Sequence, residues 1–197
     1  IVTVDDAMLV MQEETTEDIS MMAGVSPNED SYFGTSVSSM EEPVAVLMLL
    51  MLSATVSGEI LAHYEKAMAA MPVLITFIPM LMGTSGNSGS QSSTMVIRGL
   101  AVGEIQFKDF FRVVFKDPVA LIVGVLLAIV NGVRVYLMYD QDLTLAIAIG
   151  ITMIAIVCMA KVSAVRFRFW QKKIGLDPAL MAAPLISTIM DTCTILM

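Results

Sequence analysis

The sequence predicts an all-α membrane protein with five transmembrane helices per chain, and three observations carry that expectation. First, its 197 residues are 56% hydrophobic and only 15% charged, with a mean hydropathy of +0.78, outside the range of a water-soluble domain. Second, the apolar residues gather into five runs near the roughly 20 residues that a helix needs to cross a hydrocarbon core about 30 Å thick. Third, charge is segregated: residues 1–43 hold ten acids and no Lys or Arg, whereas residues 44–197 carry a net charge of +2. This divides the chain into an acidic segment, 1–43, and a transmembrane domain, 44–197, expected below to be cytosolic and pore-forming respectively. No basic footprint for nucleic acid is present. Cys158 and Cys193 lie in apolar runs, where neither a disulfide framework nor a zinc site is expected. No ATP-binding motif or catalytic constellation is seen, so the chain is not expected to be an enzyme.

In the acidic segment, Asp5 and Asp6 precede apolar residues at helical spacing and Gly24 stands ready to stop them, predicting an amphipathic helix over 5–23. Residues 26–31 form a turn-rich linker, and Tyr32 to Met40 is expected as a short helix before Pro43. The five spans are expected at about Val44–Leu61, Met71–Arg98, Val119–Met138, Leu143–Ala160 and Ala179–Met197. Only Tyr139-Asp140-Gln141-Asp142 joins the third to the fourth, which requires an antiparallel hairpin. Nine of the eleven basic residues fall between spans two and three or between spans four and five. The positive-inside bias then places those connections and the N-terminus in the cytoplasm, and the C-terminus outside, in a cell membrane (the inner membrane of a bacterium).

The second span begins apolar and then turns into Gly83-Thr84-Ser85-Gly86-Asn87-Ser88-Gly89-Ser90-Gln91-Ser92-Ser93-Thr94. A lipid-facing helix does not carry such a stretch, so it must face protein or water. Its small residues let another backbone approach, and Pro79 is expected to remove a helix hydrogen bond and displace the carbonyl of Ile75. Two readings stand: a tight helix crossing with hydroxyls bonded back to their own helix, or an oxygen-rich pore wall.

Asp191, in the fifth span, is the most informative single residue. An intramembrane carboxylate is costly and usually functional, and no Lys or Arg in that span pairs with it. Ser187, Thr188 and Thr194 stand one turn away, and Pro184 loosens the backbone earlier. A hydrogen-bonded neutral acid is the alternative; the stripe otherwise asks for a cation or a proton. Oxygen donors without His or Cys suit a hard ion, and so sparse a site suits hydrated Mg²⁺, which gives up its water reluctantly. A two-fold homodimer would bring two Asp191 side chains to one path. An inside-negative potential would favour entry of a divalent ion by about 4.6 kcal/mol per 100 mV.

The run from Phe77 to Thr94, followed by Arg98-Gly99-Leu100-Ala101, resembles the MgtE magnesium channel/transporter family. Leu176-Asp177-Pro178-Ala179 and Pro184 to Asp191 are similar to the start and middle of that family's fifth helix, and Thr55 to Glu59 fits its first. The likeness covers about residues 44–197. Residues Thr3 to Val25 resemble the last helix of a cystathionine-β-synthase (CBS) domain, the module that precedes the membrane part in this family. The resemblance implies a homodimeric pore for Mg²⁺, gated by cytosolic Mg²⁺, in which Mg²⁺ is substrate and regulator and the lipid bilayer the surrounding partner. It implies ion contacts from Asp191, Asn87, Gly83 and Gly86, with Thr84, Gln91, Ser187, Thr188 and Pro184 lining the path. Ala183 stands where family members often have Asn, so only its carbonyl could serve.

The acidic segment suggests a Mg²⁺ sensor, because a divalent ion relieves repulsion among unpaired carboxylates. Glu13, Glu14, Glu17, Asp18, Glu29 and Asp30 are its candidates. Asp177 could share a bridging ion, although Asp followed by Pro is also an ordinary helix start. Glu59 and His63 form a weak metal pair, Asp140 and Asp142 could concentrate cations at the outer mouth, and Arg134 is expected to snorkel. The rival readings are a proton- or sodium-coupled divalent cation carrier and a non-transporting membrane sensor.

Overall fold

The computed structural model describes residues 3–23, 41–115, 118–175 and 182–197, which are built of helices with no strand among them. Helix α1 spans Val4–Ala23. Its start is a reciprocal cap: the Thr3 hydroxyl oxygen accepts from the Asp6 N–H at 3.2 Å, while Asp6 Oδ2 accepts from the Thr3 N–H at 2.9 Å. Most of α1 is exposed, but Ser20, Met21 and Met22 in its last turn are half-buried, and the helix packs against the last helix of the chain. The short helix expected over Tyr32 to Met40 lies outside the described residues.

Helix α2, Glu41–His63, contains the first expected span. It turns Val46, Leu50, Ser53, Ser57 and Ile60 inward, a spacing of three and four that marks one helical face. The remaining apolar side chains, Leu47, Met48, Met51 and Leu52 among them, are uncovered by the rest of the chain. A short helix α3, Glu65–Ala70, and a 3-10 turn over Pro72–Phe77 lead into α4, Ile78–Ala101.

This corrects the expectation of one span from Met71 to Arg98. Pro79 falls in the first turn of α4, where no N–H is required of it. The Ile75 carbonyl is accordingly not displaced; it accepts from the N–H of Ile78 as the 3-10 turn closes.

Helix α5, Phe110–Phe115, is one short piece before α6, Val119–Met138. The α6–α7 hairpin forms as expected: Asp140 and Gln141 adopt left-handed φ values of 47° and 59°, and the Asp142 carboxylate accepts from the Leu145 N–H at 3.0 Å to start α7. Helix α7 then runs unbroken from Leu143 to Lys173. Lys161, Arg166 and Arg168 therefore ride on a helix and not in a loop after Ala160. Between Ala160 and Gly175, whose φ is 80°, the sequence offers no Gly or Pro to stop α7, and Lys161 and Arg168 are buried at 7% and 0% exposure. Helix α8 is described over Ala182–Ile195; residues 176–181, with Asp177, lie outside the described residues.

Helix α4 packs on both α7 and α8, and α6 packs along α7. Phe77, Val135, Ile149 and Ile156 hold one end of the bundle, Ile186 and Met190 meet Ala160 and Ala164 in the middle, and Val96, Val165 and Phe169 close the other end. Among the described residues, three stretches can cross a membrane by length and composition: Val44–His63, Phe110–Met138 and Leu143–Lys173. Their uncovered apolar surface is the face that lipid or a further protein surface would cover.

Candidate functional site

Helix α4 has two polar faces with different fates. Ser85, Gly89 and Ser93 are buried, together with Gly86 and Gly99. Nearly half a turn away, Gly83, Asn87, Gln91 and Thr94 repeat at four, four and three residues and stay exposed.

The buried face is a crossing point. A Cβ on Gly89 would come within 2.7 Å of Ile186 Cγ2, and one on Gly86 within 3.6 Å of Ser187 Oγ, so α4 and α8 approach closely there. The Ser85 hydroxyl donates to the Met82 carbonyl at 2.9 Å and accepts from Thr194 Oγ1 at 2.7 Å. On α4's other flank, Arg168 Nε donates to Ser93 Oγ at 2.6 Å, Arg168 also bonds Gln171, and its guanidinium stands 5.0 Å from the Phe167 ring centroid. A hydroxyl pair, Ser57 and Thr192 at 2.8 Å, ties α2 to α8. In low dielectric such satisfied pairs specify one helix register.

The exposed face is different in kind. Thr84 and Thr94 bond back to the Met80 and Ser90 carbonyls at 2.8 and 3.0 Å, as the tight-crossing reading expects. Asn87 and Gln91 cannot be satisfied in lipid by that device, because each carries a donor pair and an acceptor beyond the helix backbone.

On α8, Ile186, Met190 and Thr194 are buried, while Ser187 and Asp191 sit half-buried on the adjoining face. Because Gly86 meets Ser187, the Asp191 face and the Gly83–Asn87 stripe border one helix crossing. Thr188 donates to the Pro184 carbonyl at 2.9 Å; Pro184 is half-buried and Ala183 exposed at the start of the helix. Gln91 also turns toward a cavity between α4, α6 and α7. The structure thus brings Gly86 against Ser187, sets Asp191 one turn further along α8, and leaves Ala183 two turns before Asp191.

Glu13, Glu14, Glu17 and Asp18 are exposed on α1, and Glu29 and Asp30 lie outside the described residues. Among the described residues, no three His, Cys, Asp or Glu side chains converge to hold an ion. Glu59 and His63 are exposed, and the His63 ring packs edge-on against Tyr64. Arg134 does more than snorkel: it donates to Asn131 Oδ1 at 3.0 Å and to Met80 Sδ at 3.3 Å, linking α6 to α4. Both cysteines are free. Sequence reasoning missed the Arg168–Ser93 bond; its trace was Gln171, one turn after Arg168 on the same helix.

The model of the divalent cation transporter family MgtE matches residues 78–197, from the start of α4 to the end of the chain. The chain belongs to the MgtE family. Its relatives include magnesium transporters MgtE of Thermus thermophilus, 33% identical over the whole of this chain and 44% of that protein, and of Enterococcus faecalis, 28% identical over the whole of this chain and 43% of that protein. The MgtE of Bacillus subtilis is also 28% identical, again over the whole chain and 43% of its own length. The chain thus spans less than half the length of these relatives. MgtE proteins are transporters, not enzymes, and the apolar helices described above accord with a multi-pass membrane protein.

Proposed function

We propose that this chain is the pore-forming part of a Mg²⁺ channel/transporter that passes the hydrated ion down its electrochemical gradient as a two-fold homodimer. The observation that carries the reading is the uncovered stripe Gly83–Asn87–Gln91–Thr94 beside the Asp191 face of α8. In a membrane that stripe needs water or a second protein surface, and a partner chain related by a two-fold axis along the membrane normal supplies both. Two carboxylates then face one path, and α4 and α8 join the three apolar stretches as the fourth and fifth spans. Asp191, with Asn87 and the backbone at Gly83, Gly86 and Ala183, contacts the ion's water shell. Thr84, Gln91, Ser187, Thr188 and Pro184 line the path.

In the proposed orientation the N-terminus is cytoplasmic and the C-terminus outside. Residues 1–43, the end of a CBS-like module and its linker, act as the gate. Support for that part is the packing of α1 on α8 and the six acids and no base that α1 carries. Mg²⁺ bridging Glu13, Glu14, Glu17, Asp18, Glu29, Asp30 and Asp177 would hold the segment against α8 and close the path; loss of the ion lets repulsion release it.

The test is divalent flux into liposomes holding the full-length protein, comparing Asp191→Asn and Asp191→Ala with the native side chain at matched reconstitution. Loss of flux with dimers intact supports the reading, whereas undiminished Mg²⁺ flux in both variants overturns the role of Asp191. Flux that follows an imposed pH or Na⁺ gradient would make the protein a coupled carrier. Dimers that carry no ion at all would make it a sensor.

A further inference from the structure

Helix α8 is held from two sides by hydroxyl pairs. Toward α2, the Ser57 and Thr192 hydroxyls stand 2.8 Å apart; toward α4, Thr194 Oγ1 donates to Ser85 Oγ at 2.7 Å. At 3.6 residues per turn, Thr192 points about 100° to one side of Asp191 and Thr194 about 60° to the other. Asp191 therefore projects from the arc of α8 left between the two ties. Pro184, Ser187 and Thr188 fall in the same arc by the same spacing. All four are half-buried, whereas Ile186 and Met190, on the side turned to α4, are wholly buried. The α4 side is also fixed by shape, since a Cβ on Gly89 would come within 2.7 Å of Ile186. The α2 side has no such fit: most of α2 is uncovered, and among the described residues the Ser57–Thr192 pair is the one side-chain hydrogen bond that joins α2 to another helix.

We propose that Ser57 is a positioning residue for Asp191: through Thr192 it sets the angle at which α8 offers its carboxylate to the ion path, an inference that rests on the reading of Asp191 given above. Ser57 itself does not contact the ion. It is 5% exposed and acts on the flank of α8. In hydrocarbon no hydrophobic drive holds one apolar helix face against another, so close packing and hydrogen bonds decide how a helix is rotated. The pair is satisfied in either sense. Ser57 donates to Thr192 while Thr192 donates to the Thr188 carbonyl at 3.3 Å, or Thr192 donates to Ser57 while Ser57 donates to the Ser53 carbonyl at 3.4 Å. Both protons are used each way and neither hydroxyl needs water, so the tie suits a dry interface, where low dielectric strengthens it. Without it, α8 keeps its fit to α4 but loses the contact that fixes its other flank, and Asp191 is no longer confined to one direction.

The test is Mg²⁺ flux into liposomes holding the full-length protein, measured across Mg²⁺ concentrations for Ser57→Ala, Thr192→Val and Thr192→Ser. The first two remove the tie without adding bulk and are each expected to raise the half-saturating Mg²⁺ concentration about fivefold, with the protein's assembly and thermal unfolding close to native. Thr192→Ser keeps the hydroxyl and should keep the native value. Ser57→Ala combined with Thr192→Val should be no worse than either alone, because both remove one bond. In parallel, Asp191→Cys, with Cys158 and Cys193 replaced by Ser, should react about fivefold more slowly with a charged thiol reagent once Ser57→Ala is added. Native half-saturation and an unchanged labelling rate would overturn the proposal, as would a loss that Thr192→Ser shares. Failure of the underlying reading looks different: Asp191→Asn would carry native flux while the labelling rate at position 191 still responded to Ser57→Ala.

Discussion

Gly86 and Gly89 show how far residue chemistry alone carries the argument. Both are glycines in one polar run, three positions apart, and the sequence treats them alike. In the folded chain a Cβ on Gly89 would meet Ile186 at 2.7 Å and Met190 at 3.1 Å, whereas one on Gly86 would sit at an ordinary 3.6 Å from Ser187. Ile186 and Met190 are wholly buried and have little room to retreat. Gly89→Val is therefore expected to destabilise the α4–α8 crossing by about 1–3 kcal/mol, through overpacking. Gly86→Ala should leave folding within about 0.5 kcal/mol of the native protein. Thermal unfolding of the two variants in one detergent measures the difference; equal stability would mean that α4 and α8 do not cross at Gly89.

At the scale of elements, α1 stands apart because its stability is local and electrostatic. Hydrogen bonds from the Thr3 backbone N–H, and then from its hydroxyl, hold the Asp6 carboxyl below its ordinary range. A carboxylate whose folded value is depressed lends stability above its unfolded value, and that stability is lost as pH falls through the folded value. The start of α1 should thus fray as pH drops below about 4, and Asp6→Asn should remove that part of the acid response. Amide hydrogen exchange at residues 4–8 across the acid range is the readout. Unchanged pH dependence in the variant would show that the cap is not formed. Caps of this kind are legible in sequence, as are the 20-residue apolar runs, since each is set within one segment. The run of α7 past Ala160 was not legible: Lys161 and Arg168 read as the end of a span, and only contact with another helix, such as Ser93 of α4, accounts for the burial of Arg168.

For the whole molecule, the division of α4 into covered and uncovered polar faces has a direct consequence. In the full-length protein in bilayers, with Cys158 and Cys193 replaced by Ser, a cysteine at Asn87 should react with a charged, water-borne thiol reagent. A cysteine at Ser93 should not, because that position is 0% exposed and pressed against Arg168. A cysteine at Ile129, on the uncovered face of α6, should also stay unreactive, since a charged reagent does not partition into hydrocarbon. Labelling at Ile129 equal to that at Asn87 would place the α4 stripe in lipid and remove the argument for a water-filled path.

The sequence by itself determined the membrane class and the hairpin at Asp140–Gln141, because each depends on local composition or on chain length; the five spans and a role for Asp191 are expectations of the same kind, the latter from the cost of a charge in hydrocarbon. The family resemblance lay in the same run, Phe77 to Thr94, whose polar density a lipid-facing helix does not tolerate. Tertiary structure alone decided which residues of that run are covered. Ser85, Gly89 and Ser93 are taken up by α7 and α8, while Gly83 and Asn87 are left uncovered. The reason is that a hundred-degree turn per residue spreads twelve similar side chains around a full cylinder, and only the neighbouring helices choose a face.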